Sequence, residues 1–491
     1  MFAFPYSLFC RPKFAAVLFA TSAFCGPNDF ASFSSSPIFA VLPRSAVFAQ
    51  EEAPEWDALL ERRDGWLAAD GIYSIELGRD VADDPAVKVD ATSPTSPVSL
   101  QTLFIFSDTF GGSTRNDGRD FGERTMTNHS FAVLTGTAPE AEKIDFFWRR
   151  DAKNGEFTPI KEIRKDAQRK KTNENNQETQ NSEARQGSEE KQARLAAVLT
   201  TLNALFADDG AAPTAEKPER LAPRNPLGVD RWLQDGVVWR GRVWLSAILV
   251  GAAWKPERID AVSIGLDADG SPDFDDVRID ETAPLSFKTE TAQVVFGAAI
   301  NDDADDGFLY VFGYLDRFDV GSRKDLVVAR APRESFGDFS TWRYFDGRGW
   351  SPNVADAARP EAALVERVST EFSVSKIPSG ANAGRYLLVY TPGVIGNEIA
   401  FRVGDAPVGP FGPETVFYRS TVPREFERGV RCYNAKAHPT FGDDEKILVS
   451  YNVNRLGTLA RRPAEYRPRF VWLRYSTIDA ATSEQAARST R

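Results

Sequence analysis

The chain has 491 residues, 26% of them charged, with 70 Asp and Glu against 59 Lys and Arg and a net charge of −11. Such a balance repels nucleic acid and anionic membrane surfaces, which excludes the usual phosphate-backbone binders. Three cysteines and two histidines are too few for zinc fingers or His-rich metal centres.

Residues 1–49 carry Arg11 and Lys13, then an apolar run over 14–24, and end in Val47-Phe48-Ala49. This charged, apolar, small-residue order predicts a secretory signal peptide and hence an exported (periplasmic, cell-surface or extracellular) protein. The apolar run falls short of the ~20 residues of a membrane-spanning helix, so no membrane insertion is expected. Without residues 1–49, Lys plus Arg falls from 59 to 56 and Asp plus Glu from 70 to 69, a net charge of −13. Cys432 alone then remains, and a chain of this length buries enough surface without a disulfide. Residues 50–63 read as a lead-in, in which 53–63 supplies a helix or the strand that closes the fold.

From there a five-fold recurrence sets in. A polar residue opens a short apolar strand at Asp70-Gly71-Ile72-Tyr73, Asp235-Gly236-Val237-Val238, Glu371-Phe372-Ser373-Val374 and Asn434-Ala435-Lys436-Ala437-His438, and Phe296-Gly297-Ala298-Ala299 takes the third place in the series. An aromatic or aliphatic strand follows each, as in Leu103-Phe104-Ile105-Phe106 or Tyr386-Leu387-Leu388-Val389-Tyr390. Such self-similar units predict an all-β fold, a five-bladed β-propeller of four-stranded antiparallel blades over 64–476. The blades span about 66–148, 229–284, 291–350, 368–417 and 432–476. Val, Phe, Tyr and Trp alternating with polar residues support strands throughout. Residues 151–225, rich in Lys, Glu, Gln and Asn, read as a charged mobile insertion between blades one and two. Residues 477–491 read as a disordered tail.

In a meander the start of strand one, the end of strand two and the start of strand three share one rim, and the polar residues gather there. Asp70, Asp235 and Glu371 open innermost strands and should converge on the axis, where like charges raise one another's pKa. Glycosidic cleavage needs such a set, one group as acid and another as base or nucleophile. Asp108, Asn128, His129, Tyr390, Asn434, Lys436, His438, Asn452 and Asn454 lie at the same ends as candidate substrate-binding residues. Trp66 and Trp232, just before Asp70 and Asp235, suit sugar stacking. Each also has a plainer reading: Asp-Gly pairs make turns, a buried histidine satisfies a core, and Lys436 neutralises carboxylates.

The ordered motifs Trp66-Leu67-Ala68-Ala69-Asp70-Gly71, Phe106-Ser107-Asp108-Thr109-Phe110, Thr370-Glu371-Phe372-Ser373-Val374, Pro407-Val408-Gly409-Pro410 and Tyr433-Asn434-Ala435-Lys436-Ala437-His438-Pro439 with Ser450-Tyr451-Asn452-Val453-Asn454 resemble the exported proteins grouped as domain of unknown function 4185. That family is similar in architecture to arabinanase and fructosidase propellers, and some members are endo-D-arabinanases. The resemblance implies a monomeric glycoside hydrolase on a polysaccharide such as an arabinan, with Asp70, Asp235 and Glu371 as the pore acids. In that assignment Asp70 is base or nucleophile, Glu371 the general acid and Asp235 the modulator. No cofactor is required, although the resemblance allows an axial Ca2+ near His438. Arabinanase-type propellers take their acid from blade three, where this chain has Phe296-Gly297. The alternative is a non-catalytic glycan-binding or cell-envelope propeller protein.

Overall fold

The structure, a computed structural model, describes residues 51–80, 100–148, 231–250, 256–302, 304–320, 323–421, 430–455 and 460–489. The expected signal peptide (1–49) and charged insertion (151–225) lie outside these residues. The chain divides into two compact units, residues 1–146 with 227–491, and residues 147–226.

The first unit is all-β, and its strands pair antiparallel. The first meander is split across its middle. Strands Asp64–Ala69, Thr109–Arg115 and Asp120–Thr127 form one half, and Tyr73–Glu76, Gln101–Phe106, Ser130–Thr135 and Ile144–Phe147 the other. The halves separate where three strands break together, at 70–72, 107–108 and 128–129. The second sheet runs Arg231–Trp239, Arg242–Val250, Pro256–Leu266 and Pro272–Asp280. The third has Ala292–Asn301, Phe308–Arg317, Arg323–Pro332 and Arg343–Phe345, widened by Ser286–Lys288 at one edge and Trp350–Ser351 at the other. The fourth comprises Phe372–Lys376, Tyr386–Tyr390, Glu398–Gly404 and Thr415–Arg419. The fifth comprises Val430–His438, Lys446–Arg455 and Arg469–Arg474.

The lead strands touch in a cycle. Tyr73–Glu76 meets Arg231–Trp239, which meets Ala292–Asn301, then Phe372–Lys376, then Val430–His438, which returns to Tyr73–Glu76. Apolar side chains fill the spaces between neighbouring sheets, so many strands are buried on both faces. Tyr386–Tyr390 is buried at all five positions. Simple alternation gives way here because a sheet packed on both sides has no wet face.

The outer edge of the fifth sheet is completed from the far end of the chain. Glu51 and Glu52 pair with Trp472 and Val471, so the closing strand precedes the 53–63 stretch, which instead supplies the helix Pro54–Leu59. Trp56 is buried between Phe441 and Phe470, at ring separations of 4.5 and 6.0 Å. Asp57 accepts from the Phe470 amide at 2.9 Å and from Arg469 at 3.2 Å.

At the other terminus the expected disordered tail is a helix, Tyr475–Ser489. Tyr475, Ile478 and Ala481, three residues apart, bury one face against the fourth and fifth sheets. Asp479 also accepts from the Ala381 and Asn382 amides at 3.0 and 3.2 Å.

If the N-terminal lead-in closes the structure, Trp56→Ala should cost about 3–5 kcal/mol, the usual penalty for emptying a buried aromatic site. Denaturant unfolding measures it, and a loss below about 1 kcal/mol would show the closure to be dispensable.

Candidate active site

Most lead strands lose register at one level. In the second sheet the pairing skips Gln234 and Asp235. In the third it skips Gly297 and Ala298, and in the fifth Asn434 and Ala435. The first sheet breaks at 70–72, and the fourth lead strand begins one residue after Glu371. A bulge of this kind re-aims side chains and raises local twist. Asp235 therefore lies inside Arg231–Trp239, and Asp70 in the gap between Asp64–Ala69 and Tyr73–Glu76, rather than each opening a strand.

The backbone at this level is unusual. Asn434 holds φ 55° and Gly297 φ 108°. A Cβ on Gly297 would stand 2.0 Å from Ser246 Oγ, so the missing carboxylate in the third sheet reflects the close approach of a second-sheet strand. Nothing larger fits there.

Around these bulges the acids gather. Lys436, 1% exposed, pairs with Glu371 Oε2, while Asn434 Nδ2 donates to Glu371 Oε1 at 2.9 Å. The Lys436 ammonium also lies 4.1 Å over the Tyr73 ring. Asp235 accepts from its neighbour Gly236 N at 2.9 Å and from Ile300 N, across the seam, at 2.8 Å. Burial pushes its carboxyl up to about 7, against those two amides and the Lys436 charge, with Asp302 adding to the rise.

Asp70 Oδ2 accepts from the Tyr433 hydroxyl at 2.7 Å. Its Oδ1 is buried and makes no hydrogen bond of normal geometry. Burial lifts Asp70 to about 7, opposed first by Tyr433, reinforced by the charge of Glu371, and eased by Tyr466 and Lys436. Asp108 receives the Trp232 indole at 3.1 Å, and burial together with Asp70 raises it well above the usual carboxylate range. Lys436 thus bears on Asp70, Asp235 and Glu371 at once. The structure brings the three named acids together, with Asp108 beside Asp70.

Other expected residues are placed differently. His438 shares hydrogen bonds with Ser74 Oγ at 2.8 Å and Ser450 Oγ at 2.7 Å, and burial holds its pKa down at about 3. Both ring nitrogens are committed to hydroxyls, so neither is aimed at substrate. Among the described residues no group of three His, Cys, Asp or Glu is arranged to hold a metal ion. His129 meets the Arg231 carbonyl at 3.3 Å on the seam between the first two sheets, and burial likewise lowers it to about 3. Tyr390 donates to Glu414 at 2.7 Å and accepts from Arg402 at 2.8 Å, both of its own sheet's surroundings rather than the acid cluster. Asn128 lies at the break before Ser130–Thr135. Asn452 accepts from Gly71 N at 3.2 Å, and Asn454 is buried beside Tyr433. Trp66 is fully buried against Phe106 and Phe146, which removes it as a sugar platform.

Three tyrosines escaped the sequence reading. Tyr73 and Tyr433 lie inside the quoted motifs without being named as site residues, and that membership was the available signal. Tyr466 had none. It arrives on the segment between Lys446–Arg455 and Arg469–Arg474, fixed by buried Glu465, which accepts from Arg455 at 2.7 Å and from Arg461 N at 2.8 Å.

A family model described as a domain of unknown function, number 5005, matches residues 271–475, less than half of the chain. It is not the family that the motifs resemble. A comparison with curated proteins finds no match. Among solved structures, a Bacteroides ovatus protein whose hydrolase assignment is itself inferred superposes with a TM-score of 0.52 at 15% identity, over 88% of this chain and 92% of that one. At that identity the likeness establishes a shared fold and nothing finer. The exo-β-1,3-galactanase of Phanerochaete chrysosporium (TM-score 0.31, 10% identity, 76% of this chain and 57% of that) and the exo-inulinase of Aspergillus awamori (0.27, 12%, 46% and 44%) are more distant. They carry no argument. Among the described residues no helix is long and apolar enough to cross a membrane.

The raised Asp70 has a consequence for stability. A carboxyl whose folded pKa exceeds its unfolded value favours the fold when protonated and loses that advantage as pH rises. With about 7 folded against 3.8 as the ordinary value, the loss falls between pH 4 and 7. Asp70→Asn should therefore gain stability relative to the parent across that window and level off above it. Unfolding at a series of pH values tests this, and a pH-independent difference would contradict it.

Proposed function

We propose that this chain is an exported glycoside hydrolase that cleaves a polysaccharide at the hub of a five-bladed β-propeller. The cyclic contact of five lead strands supports the propeller reading. The observation that carries the activity is the pairing of unlike carboxyl groups. Asp70 is lifted to about 7 and has an oxygen without a hydrogen bond, while Glu371 is tied to an ammonium within reach of its charge. A carboxyl that holds its proton beside a carboxylate held by an ammonium can divide the work of acid and base.

The geometry favours exchanging the two roles assigned from sequence. Glu371 has both oxygens engaged by Lys436 and Asn434, which suits a carboxylate rather than a proton donor. Asp70 carries the proton on Oδ1 and passes it to the departing glycosidic oxygen. Glu371 meets the positive charge that develops on the sugar ring, as nucleophile or as the base that activates water. Asp235, fixed by two amides, tunes both through the shared Lys436. An arabinan-type furanose polymer is the finer substrate reading and rests on the motif resemblance alone.

One observation favours the rival reading, a non-catalytic glycan-binding protein. The Glu371–Lys436–Asn434 contacts join the fourth and fifth sheets and would serve equally well as a structural clamp. Incubation with arabinans, fructans and xylans separates the two. The hydrolase releases oligosaccharides, and Asp70→Asn or Glu371→Gln each slows release by about 10²–10⁴-fold. Binding without release by the parent supports the rival, and unchanged turnover in either variant removes that residue's role.

A further inference from the structure

Asp70 and Glu371 come from the first and fourth sheets, and the fifth lies between these two in the cycle of lead strands. One short segment of the fifth sheet, residues 433–436, holds both acids. Tyr433 donates to Asp70 Oδ2 at 2.7 Å, whereas Asn434, at 2.9 Å, and Lys436 engage the two oxygens of Glu371. This segment contains the bulge, and it is bonded on both flanks. Ala435 N donates at 3.2 Å to Thr391 Oγ1, just past Tyr386–Tyr390 of the fourth sheet. On the other flank Gly71 N donates at 3.2 Å to Asn452 Oδ1, whose residue pairs with Tyr433. The Asp70 backbone is fixed as well, with Asp70 N donating to Asp108 O at 3.2 Å and Ser107 N to Asp70 O at 2.8 Å. What stays soft is the carboxyl torsion, which is broad and roughly two-fold in aspartate. The side chain alone therefore does not choose which oxygen meets a substrate.

We infer that Tyr433 is a positioning residue that makes this choice: it anchors Asp70 Oδ2, leaves Oδ1 as the one reacting oxygen, and sets where that oxygen stands relative to Glu371. Oδ1 is the buried oxygen without a hydrogen bond, as this division of labour requires. Tyr433 is itself buried, so packing locks its ring and its hydroxyl is placed as firmly as the bulge that carries it. The relative placement of the two acids then follows from the backbone at 433–436 rather than from two independent loops. The inference deepens the hydrolase reading and rests on it for its catalytic meaning, although the anchoring of Asp70 is measurable without turnover.

The test is Tyr433→Phe, which keeps the ring and removes the donor. Asp70 is followed by carboxyl ¹³C NMR titration in protein carrying ¹³C-labelled aspartate, with Asp70→Asn to assign the signal. A hydrogen bond to the charged carboxylate favours that form, so losing it should raise the Asp70 midpoint by about one pH unit. The other groups facing Asp70 stay in place, namely Tyr466 and Lys436 of the fifth sheet and its connecting segment, Glu371 of the fourth and Asp108 of the first. On a polysaccharide that the parent cleaves, kcat should fall about 10–10²-fold, the usual cost of a misplaced reacting group. KM should stay near the parent value, and the limb of the rate profile that belongs to Asp70 should move with its midpoint. A kcat equal to the parent's, or an unmoved midpoint, overturns the proposal, and lost stability with an unmoved midpoint marks Tyr433 as a seam bond alone. If Tyr433→Phe does not fold, 3-fluorotyrosine in place of Tyr433 decides. It is close in size and a stronger donor, so the Asp70 midpoint should fall, and an unmoved midpoint again overturns the proposal. A parent that releases no oligosaccharide fails the hydrolase reading, while the titration still reports whether Tyr433 holds Asp70.

Discussion

Lys436 sits almost wholly out of water among carboxyl groups drawn from three other sheets. Removing an ammonium from solvent costs several kcal/mol, and only well-placed opposite charge offsets it. Here the offset comes from Glu371, with the Tyr73 ring face beneath the charge adding a smaller share. That arrangement needs the two-residue bulge at Asn434 and Ala435, which turns Lys436 inward. Asn434 adopts a left-handed backbone that asparagine tolerates better than most residues. The central charge, the bulge and the φ 55° asparagine are one feature seen at three scales.

The seams between sheets use the same level of the structure. Trp232 joins the second sheet to Asp108 of the first, and Ile300 N of the third reaches Asp235 of the second. Ala437 N of the fifth reaches Ser373 of the fourth at 2.7 Å, and Tyr433 of the fifth reaches Asp70 of the first. Apolar packing between sheets supplies most of the stabilisation, but it is non-directional. Directional polar bonds at the bulges set how neighbouring sheets align. The acids Asp70, Asp108 and Asp235 consequently join sheets at the seams while burial raises their proton affinities. Strain and burial of this kind are commonly tolerated where function requires them.

Much of this was legible in the chain. The apolar strands, their order and the three acids on lead strands follow from local pattern, and so does the importance of the Asn434–Lys436 motif. Register slips are not legible, because a bulge is a relation between two strands and leaves only faint traces such as Gly297. Aromatics beside an acid misled at Trp66, whose neighbours Phe106 and Phe146 come from elsewhere in the same meander. His438 misled for a similar reason: its serine partners lie at sequence distances of 364 and 12 residues. The tail beyond 476 has no strongly apolar stripe, and its helix is held by three small contacts and the Asp479 carboxylate. Tyr466 depends on a long connection whose course is set by Glu465 and by Arg467, which donates to the Leu67 carbonyl at 2.8 Å, and local periodicity does not foretell either.

The most direct examination of the site is an experimental structure with an oligosaccharide product or unreactive analogue bound. The sugar should sit with a glycosidic oxygen within hydrogen-bonding reach of Asp70 Oδ1 and the Glu371–Lys436 pair on the other side of the ring. A sugar seated away from Asp70, with Glu371 and Lys436 still locked together behind protein, would contradict that arrangement.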